Sequence, residues 1–415
     1  MSNCKRAPKG DYSKQHNNYS LQLNRWYLTP IGAWPQMNDS NKTFKILVPL
    51  YIFVCHFTVT LMTIPCILFV CFEKTNIKMK LGALGPLLNR LMGWIHYWML
   101  LKHSGDIRKL VQHMEVDWKI VNRIQDREVM LQYAKFGRFV AGICGMILYC
   151  GTFLFSIARN IRTVPTIVGN ETFRTYPMTC PIYSKIIDAR FSPVNEIALV
   201  LQFAIIFIVN CSTVGACSLA AVFAMHARGQ LNVLYTWLHE LAENQEENHI
   251  ADRKMAVIVE HHIRVLSFIE RVENVMNKIS FVELTGSTII MCLVGYYSVM
   301  EWQNFDAMKI TSYINVYLSM AFNIFIFCYI GEIITEECKY VGEMAYMINW
   351  YNLNHKTAIG LVLIIARSSN VIKITAGKLL HLSIATFGDV SKADIALYFV
   401  TKSFDIFSIL FNCKL

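Results

Sequence analysis

The stretch VNEIALVLQFAIIFIVNCSTVGACSLAAVFAM, Val194–Met225, contains a single charged side chain, Glu196. It is longer than the about 20 apolar residues a helix needs to cross the hydrocarbon of a bilayer. Working outward from it, comparable stretches lie at Ile46–Phe72, Leu81–Leu101, Phe139–Ala158, Ile279–Met300 and Ile310–Ile334, with a more ragged one at Leu379–Leu410. Only helices or closed barrels satisfy their backbone in lipid, and the alternating ten-residue strands of a barrel are not visible. The expected fold is an all-α membrane protein with seven transmembrane helices.

Composition agrees. The chain has 415 residues, of which 54% are hydrophobic and 16% charged, against about 25% charged in a soluble domain; the mean hydropathy is +0.36. The net charge of +10 falls between spans, where lipid headgroups and topology account for it. No basic helix interleaved with aromatics suggests nucleic acid. The first 45 residues are polar and basic and lead directly into a span, so a cleavable signal peptide is not expected.

Orientation follows from the loops. Lys102, Arg108, Lys109, Lys119, Arg123, Arg127, Lys135 and Arg138 crowd the segment between the second and third stretches. Together with the N-terminal segment and the two later loops on the same side, they far outnumber Lys74, Lys78, Lys80, Arg159, Arg162, Arg174, Lys185, Arg190 and Lys309 opposite. Short basic loops stay cytoplasmic, so a cytoplasmic N-terminus and an extracellular C-terminus are expected. The long outer loop, 159–193, carries the sequon Asn170-Glu171-Thr172, an acceptor pattern for glycosylation. Sequons at Asn18, Asn38 and Asn41 fall on the cytoplasmic side and are expected to stay unmodified.

The long inner loop, 226–278, lacks proline, and Val259, Ile263, Leu266, Ile269, Val272 and Met276 recur in it at helical spacing. Val341, Ala345, Ile348 and Tyr351, then Ile359, Val362 and Ile365, form similar stripes, with a helix break at Tyr351-Asn352-Leu353-Asn354-His355. These segments are read as amphipathic helices that pack as a cytoplasmic bundle.

Other chemistries lack support. An acid-Arg-aromatic triplet ending the third span and an Asn-Pro-x-x-Tyr motif, marks of a G-protein-coupled receptor, are absent; Asp126-Arg127 precedes that span. His239-Glu240 lacks the second histidine a zinc protease needs. His261-His262 cannot share one helix face as metal ligands and are read as solvated. Neither a metal nor a cofactor is expected, and no catalytic residue. Most of the 13 Cys lie inside spans; Cys180 alone is clearly in an outer loop, so no outer disulfide is assigned.

The run Gly331-Glu332-Ile333-Ile334-Thr335-Glu336-Glu337-Cys338, followed by Val341-Gly342-Glu343-Met344-Ala345-Tyr346 and Asn349-Trp350-Tyr351, resembles the signature region of insect odorant receptors. The likeness continues through Ile364-Ile365-Ala366-Arg367-Ser368, Ile374-Thr375-Ala376-Gly377-Lys378 and Leu382-Ser383-Ile384-Ala385-Thr386-Phe387. At the other end, Asn24-Arg25-Trp26-Tyr27-Leu28 with Gly32-Ala33-Trp34-Pro35 resembles that family's opening.

The resemblance implies the ligand-binding subunit of an odorant-gated, non-selective cation channel. Its implied partners are a shared co-receptor (Orco) in a heterotetramer, a small volatile organic ligand and membrane lipid. Its implied setting is the plasma membrane of an olfactory neuron dendrite. A seven-span G-protein-coupled receptor or small-molecule transporter is the alternative. The implied organisation is a cytoplasmic segment over 1–45, six spans over 46–334, anchor helices over 335–378, and a pore-lining seventh helix with its tail over 379–415.

The same resemblance puts the ligand pocket in the outer half of the membrane among spans two, three, four and six. Candidate contacts are Leu87, Arg90, Leu91 and Trp94 on span two; Tyr149, Thr152, Phe153 and Ser156 on span three; Leu201, Gln202 and Ile205 on span four; and Tyr313, Tyr317 and Met320 on span six. Arg90 stands out, because a charge within a span is costly and calls for a partner, a ligand or water. Thr386, Asp389 and Lys392 make the last stretch too polar to face lipid, although Asp389 and Lys392 could simply pair. The family pattern places Val400 and Phe404 at a hydrophobic gate that closes by dewetting. The sequence departs from the family at Asp394, where a small polar residue is usual, and at Thr401-Lys402 with the tail Ser403–Leu415, where members generally end.

Overall fold

The computed structural model describes residues 12–35, 42–160, 163–168, 171–243, 247–302, 307–393 and 396. In chain order its elements are α1 (Tyr12–Leu28), a 3-10 turn (Thr29–Ile31), α2 (Lys42–Phe72), α3 (Ile77–Lys102), α4 (Ser104–Ile120) and α5 (Ile124–Asn160). The hairpin β1–β2 (Val164–Val168, Glu171–Thr175) follows, then α6 (Val194–Glu243), α7 (Asn248–Trp302) and α8 (Ala307–Met347). A second 3-10 turn (Trp350–Asn352), α9 (His355–Ser369) and the short hairpin β3–β4 (Thr375–Ala376, Leu380–His381) complete the assigned elements.

Five of these helices are long and apolar enough to cross a membrane: α2, α5, α6, α7 and α8. The expected second span is present as α3 but is not among them; Asn89, Arg90 and His96 interrupt its apolar run. The expected last span begins as helix at residues 384–393. The remainder lies outside the described residues, as do the expected gate residues Val400 and Phe404 and the sequon Asn170.

Length settles what the long helices do. The 50 residues of α6 extend for about 75 Å, more than twice the about 30 Å of hydrocarbon. One end must therefore stand clear of lipid, and the same holds for the 55 residues of α7. α6 is buried along nearly its whole length, as a helix apolar on all sides should be. Around it pack α5, α8, α3, α7 and α1. Close approach depends on missing side chains: a Cβ at Gly93 of α3 would overlap Val209, and one at Gly151 of α5 would overlap Ser319. α2 stands at the rim, with Phe53, Phe57, Leu61 and Ile64 exposed as lipid-facing side chains are.

The N-terminal segment is not a free tail. Asn24 on α1 donates to Ser218 Oγ (3.1 Å), and the Tyr97 hydroxyl donates to the carbonyl of Ile31 (2.7 Å), fastening the turn against α3 and α6.

At the end of the bundle opposite the β1–β2 hairpin, charges are paired across helices. Asp117 of α4 accepts from His226 Nε2 (2.9 Å) and Arg264 Nε (2.7 Å), with His113 Nε2 at 3.7 Å. Burial alone would raise the Asp117 carboxyl, but the His226 bond, the charges of His226 and His113, and the Arg264 bond hold it below its ordinary value. Burial pushes His113 down to about 4, with Arg264, His226 and Arg271 adding to it and Asp117 opposing. Nearby, Arg123 bonds both oxygens of Glu240 (2.6 Å each), and Arg228 meets Glu337 (2.7 Å). His261 and His262, expected to be solvated, are buried, because α6 and α9 both pack against α7. His261 Nε2 lies 3.3 Å from the carbonyl of Gln230.

The expected break before the last amphipathic helix is the turn at Trp350–Asn352. Asn354 then caps α9 by accepting from Thr357 N (2.8 Å). The β3–β4 hairpin turns through a three-residue loop, 377–379, in which Gly377 and Lys378 both have positive φ. It docks on α7: Thr375 N donates to Glu273 (3.0 Å) and Gly377 N to the carbonyl of Asn277 (2.8 Å).

Candidate functional site

Near the β1–β2 end, five helices fail to close on one another and leave a cavity of about 90 Å³. α3 contributes Gly82, Gly85, Pro86, Asn89 and Arg90; α5 contributes Thr152, Phe155 and Ser156. α6 adds Ile205, Ile206 and Val209, α7 adds Ile290, Leu293, Val294 and Tyr297, and α8 adds Tyr313, Val316 and Met320. Thr179 reaches in from the long loop. An apolar wall with a few convergent polar groups is what a small-molecule site requires.

The loop over the cavity is held down at several points. Cys180 is disulfide-bonded to Cys66 of α2. Cys180 has no evident partner in the sequence, because Cys66 sits inside an apolar span and reads there as packing. Gln202 of α6 donates to the carbonyl of Cys180 (2.7 Å) and accepts from its N–H (3.3 Å). A buried peptide group must be satisfied by something, and here one side-chain amide satisfies both halves. Asn160 donates to Thr179 Oγ1 (3.2 Å), and Asn195 brackets Tyr176, accepting from its N–H (3.0 Å) and donating to its carbonyl (3.2 Å).

Of the residues expected at the ligand site, the cavity brings together Arg90, Thr152, Ser156, Ile205, Tyr313 and Met320. Others are occupied elsewhere. Leu87 and Leu91 pack around the disulfide. Trp94 donates to His56 Nδ1 (3.0 Å), and the Tyr149 hydroxyl pairs with Cys211 Sγ (3.0 Å) while its ring stacks on Phe153 at 6.0 Å. Leu201 and Tyr317 pack on the main core, and Gln202 serves the loop. Thr386, Asp389 and Lys392 lie on the helix at 384–393, away from the cavity, and Asp389 and Lys392 pair at 3.6 Å on its exposed side.

Sequence reasoning missed the α7 wall. Ile290, Leu293, Val294 and Tyr297 follow the spacing of one helix face, so the stripe was visible, but lipid-facing stripes look the same. Tyr297 stacks on Tyr313 (6.1 Å), which also meets Phe155 (6.4 Å).

Below the cavity floor lies a polar knot. Ser287 Oγ contacts Met320 Sδ (3.7 Å) and donates to Glu283 Oε1 (2.7 Å). Asn323 donates to the same oxygen, and His96 Nδ1 lies 3.6 Å from Glu283 Oε2. Helices α3, α7 and α8 are therefore tied together by buried polar contacts one layer beneath the site. Among the described residues, no group of three His, Cys, Asp or Glu side chains converges as a metal site would.

The sequence model of the family described as 7tm Odorant receptor matches residues 76–394. The chain belongs to that family. Odorant receptor 82a of Drosophila melanogaster is 25% identical over 218 residues, covering 52% of this chain and 54% of the relative. Odorant receptor 10 of Aedes albopictus is 22% identical over 51% of this chain and 56% of its own length. The chain thus spans about half the length of these curated relatives. Odorant receptor 13a of Drosophila melanogaster is matched along 94% of this chain and 97% of its own, at 20% identity. The fold resembles that of the olfactory receptor OR5 from Machilis hrabei in complex with eugenol, with a TM-score of 0.74, 14% identity, and coverage of 95% of this chain and 100% of that one. This odorant receptor is a multi-pass, all-α membrane protein.

Proposed function

We propose that this receptor is the ligand-binding subunit of an odorant-gated, non-selective cation channel, working in a heterotetramer with the co-receptor (Orco) in the plasma membrane of an olfactory dendrite. Seven spans, a cytoplasmic N-terminus and an extracellular C-terminus place the loop-covered cavity in the outer half of the bilayer. The paired charges around Asp117, with α9 and the segment 335–378, then lie in the cytoplasm as the anchor. The observation that carries the reading is the cavity itself, a mostly apolar chamber with few polar groups beneath a fastened loop.

Gating follows from what α8 touches at each end. Tyr313, Val316 and Met320 line the cavity. Further along the same helix, Phe325 meets Phe387 edge to face at 5.5 Å, and Glu332 accepts from the N–H of Ile384, where the last helix begins. A ligand that fits one position of α8 better than another shifts that helix, and with it the entry to the pore-lining span containing Thr386, Asp389, Lys392, Val400 and Phe404. The size of the shift is set by the ligand's differential affinity for the two states.

The test is expression with and without the co-receptor, a panel of volatile compounds, and patch-clamp recording. Current evoked by some volatile compound only when both chains are present is expected. A channel that opens to a direct co-receptor agonist yet answers no volatile compound would contradict the reading. Topology has its own check: Asn170→Gln should abolish an endoglycosidase shift that Asn18→Gln, Asn38→Gln and Asn41→Gln leave intact.

A further inference from the structure

Arg90 is only 5% exposed and lies among the apolar side chains of the cavity wall. Its position on α3, about 20 Å from the Ile77 end at 1.5 Å per residue, is too deep for its head group to reach water along the helix. A guanidinium offers five N–H donors in a planar fork. Among the described residues it forms one hydrogen bond, a long one from Nη1 to the carbonyl of Met62 (3.3 Å). Among the described residues, no carboxylate lies within 4.0 Å of it, and no Asp or Glu lines the cavity. Buried charges are ordinarily paired, because an isolated one in a low-dielectric setting is costly.

The other polar groups of the lining complete the picture. The hydroxyls of Thr152 and Ser156 donate back to their own helix, to Leu148 O (2.9 Å) and Thr152 O (2.8 Å), so their hydrogens are committed. Thr179 Oγ1 accepts from Asn160, which leaves its own hydrogen to give. Asn89 brings an amide to the wall one residue from Arg90. The cavity therefore sets one positive charge among groups of mixed donor and acceptor character and, among the described residues, supplies no matching anion.

We propose that the cavity binds a short-chain carboxylate, its two oxygens held by the Arg90 fork and its tail laid against Ile205, Val209, Val294 and Met320. This deepens the odorant-channel reading above and rests on it. Planar, two-pronged pairing is the geometry in which Arg and carboxylate bind most strongly. Size limits the chain length: the cavity of about 90 Å³ is smaller than the about 150 Å³ of a cavity that holds benzene, so only a short acid fits.

The experiment uses the full chain with the co-receptor and compares butanoate, pentanoate and hexanoate with 1-butanol, 1-pentanol and 1-hexanol. Wild type should respond to an acid at concentrations at least about tenfold below its alcohol, the scale of one charge-assisted hydrogen bond. Arg90→Met should weaken the response to the acids at least about tenfold more than the response to the alcohols. If Arg90→Met does not reach the surface, Arg90→Lys keeps the charge and loses the fork, and should raise the acid's half-maximal concentration more than the alcohol's. Responses to alcohols with none to acids, or equal shifts for both classes in either variant, would overturn the carboxylate assignment and leave the odorant-channel reading standing. Silence toward every volatile compound, with a direct co-receptor agonist still opening the channel, would overturn the odorant-channel reading, and this inference with it.

Discussion

The two ends of the bundle treat buried charge in opposite ways. Asp117 has three cationic or protonatable partners drawn from α4, α6 and α7, two of them at hydrogen-bond distance. Arg90 has one long bond to a backbone carbonyl and an open cavity beside it. A charge satisfied from three helices locks those helices in place. A charge left short of partners costs stability in the empty protein and is worth keeping only if something arrives to complete it. The polar end is thus a frame, and the cavity end is the part that responds.

That contrast can be broken most severely at Asp117. Asp117→Ala takes the shared carboxylate from buried His226 and partly exposed Arg264, a loss of about 3–5 kcal/mol. The receptor should then disappear from the cell surface for every ligand alike, as surface labelling would show. A variant that reaches the surface normally would mean the frame lies elsewhere.

Next in size is the loop clamp. Cys66→Ser and Cys180→Ser should each destabilise the receptor by about 2–5 kcal/mol, and the double variant should be no worse than either single one. Thermal melting of the solubilised receptor reads this, and additive losses would contradict the disulfide.

A smaller effect separates two tyrosines one turn apart. Tyr313 lines the cavity and Tyr317 does not. Tyr313→Ala should move the odorant dose response by about tenfold, the scale of one lost aromatic contact with its hydrogen bond, and Tyr317→Ala by much less. Responses to a direct co-receptor agonist should be unchanged in both. Equal shifts in the two variants would place the ligand deeper than the cavity.

A further effect is on pH. An unfolded histidine titrates near 6.5, whereas His113 is held at about 4. Between those values the unfolded chain binds more protons, so stability falls as pH drops from about 6.5 toward 4. The lowered Asp117 carboxyl adds its own loss only below the ordinary carboxylate range, as pH falls through its depressed value. His113→Leu should flatten the upper part of that slope in melting curves taken from pH 7 to 4.5. An unchanged slope would mean that another group carries it.

The architecture was legible in the sequence because membrane spans announce themselves locally. Val194–Met225 and the break near Tyr351 needed no knowledge of their neighbours. The site was only partly legible, because lining a cavity is a property of a residue's neighbours. Gln202 looked like a ligand contact by its polarity, yet its amide is spent on the backbone of Cys180. Tyr149 looked like one by its ring, yet its hydroxyl is turned to Cys211. The α7 wall from Ile290 to Tyr297 is not legible, because an apolar stripe does not say whether lipid, protein or ligand lies against it. Arg90 was the exception: a charge inside a span is anomalous whatever surrounds it.

The most direct test of the account fills the cavity without disturbing its walls. Gly85 lines it, and a Cβ built there meets nothing within 4 Å, so a larger side chain grows into open space. Gly85→Leu also favours the helix by up to about 1 kcal/mol, so folding should not suffer. The measurement is patch-clamp current in cells expressing the variant with the co-receptor, normalised to surface expression. The account predicts loss of the odorant-evoked current with the response to a direct co-receptor agonist intact. An undiminished odorant response from the filled cavity would contradict it.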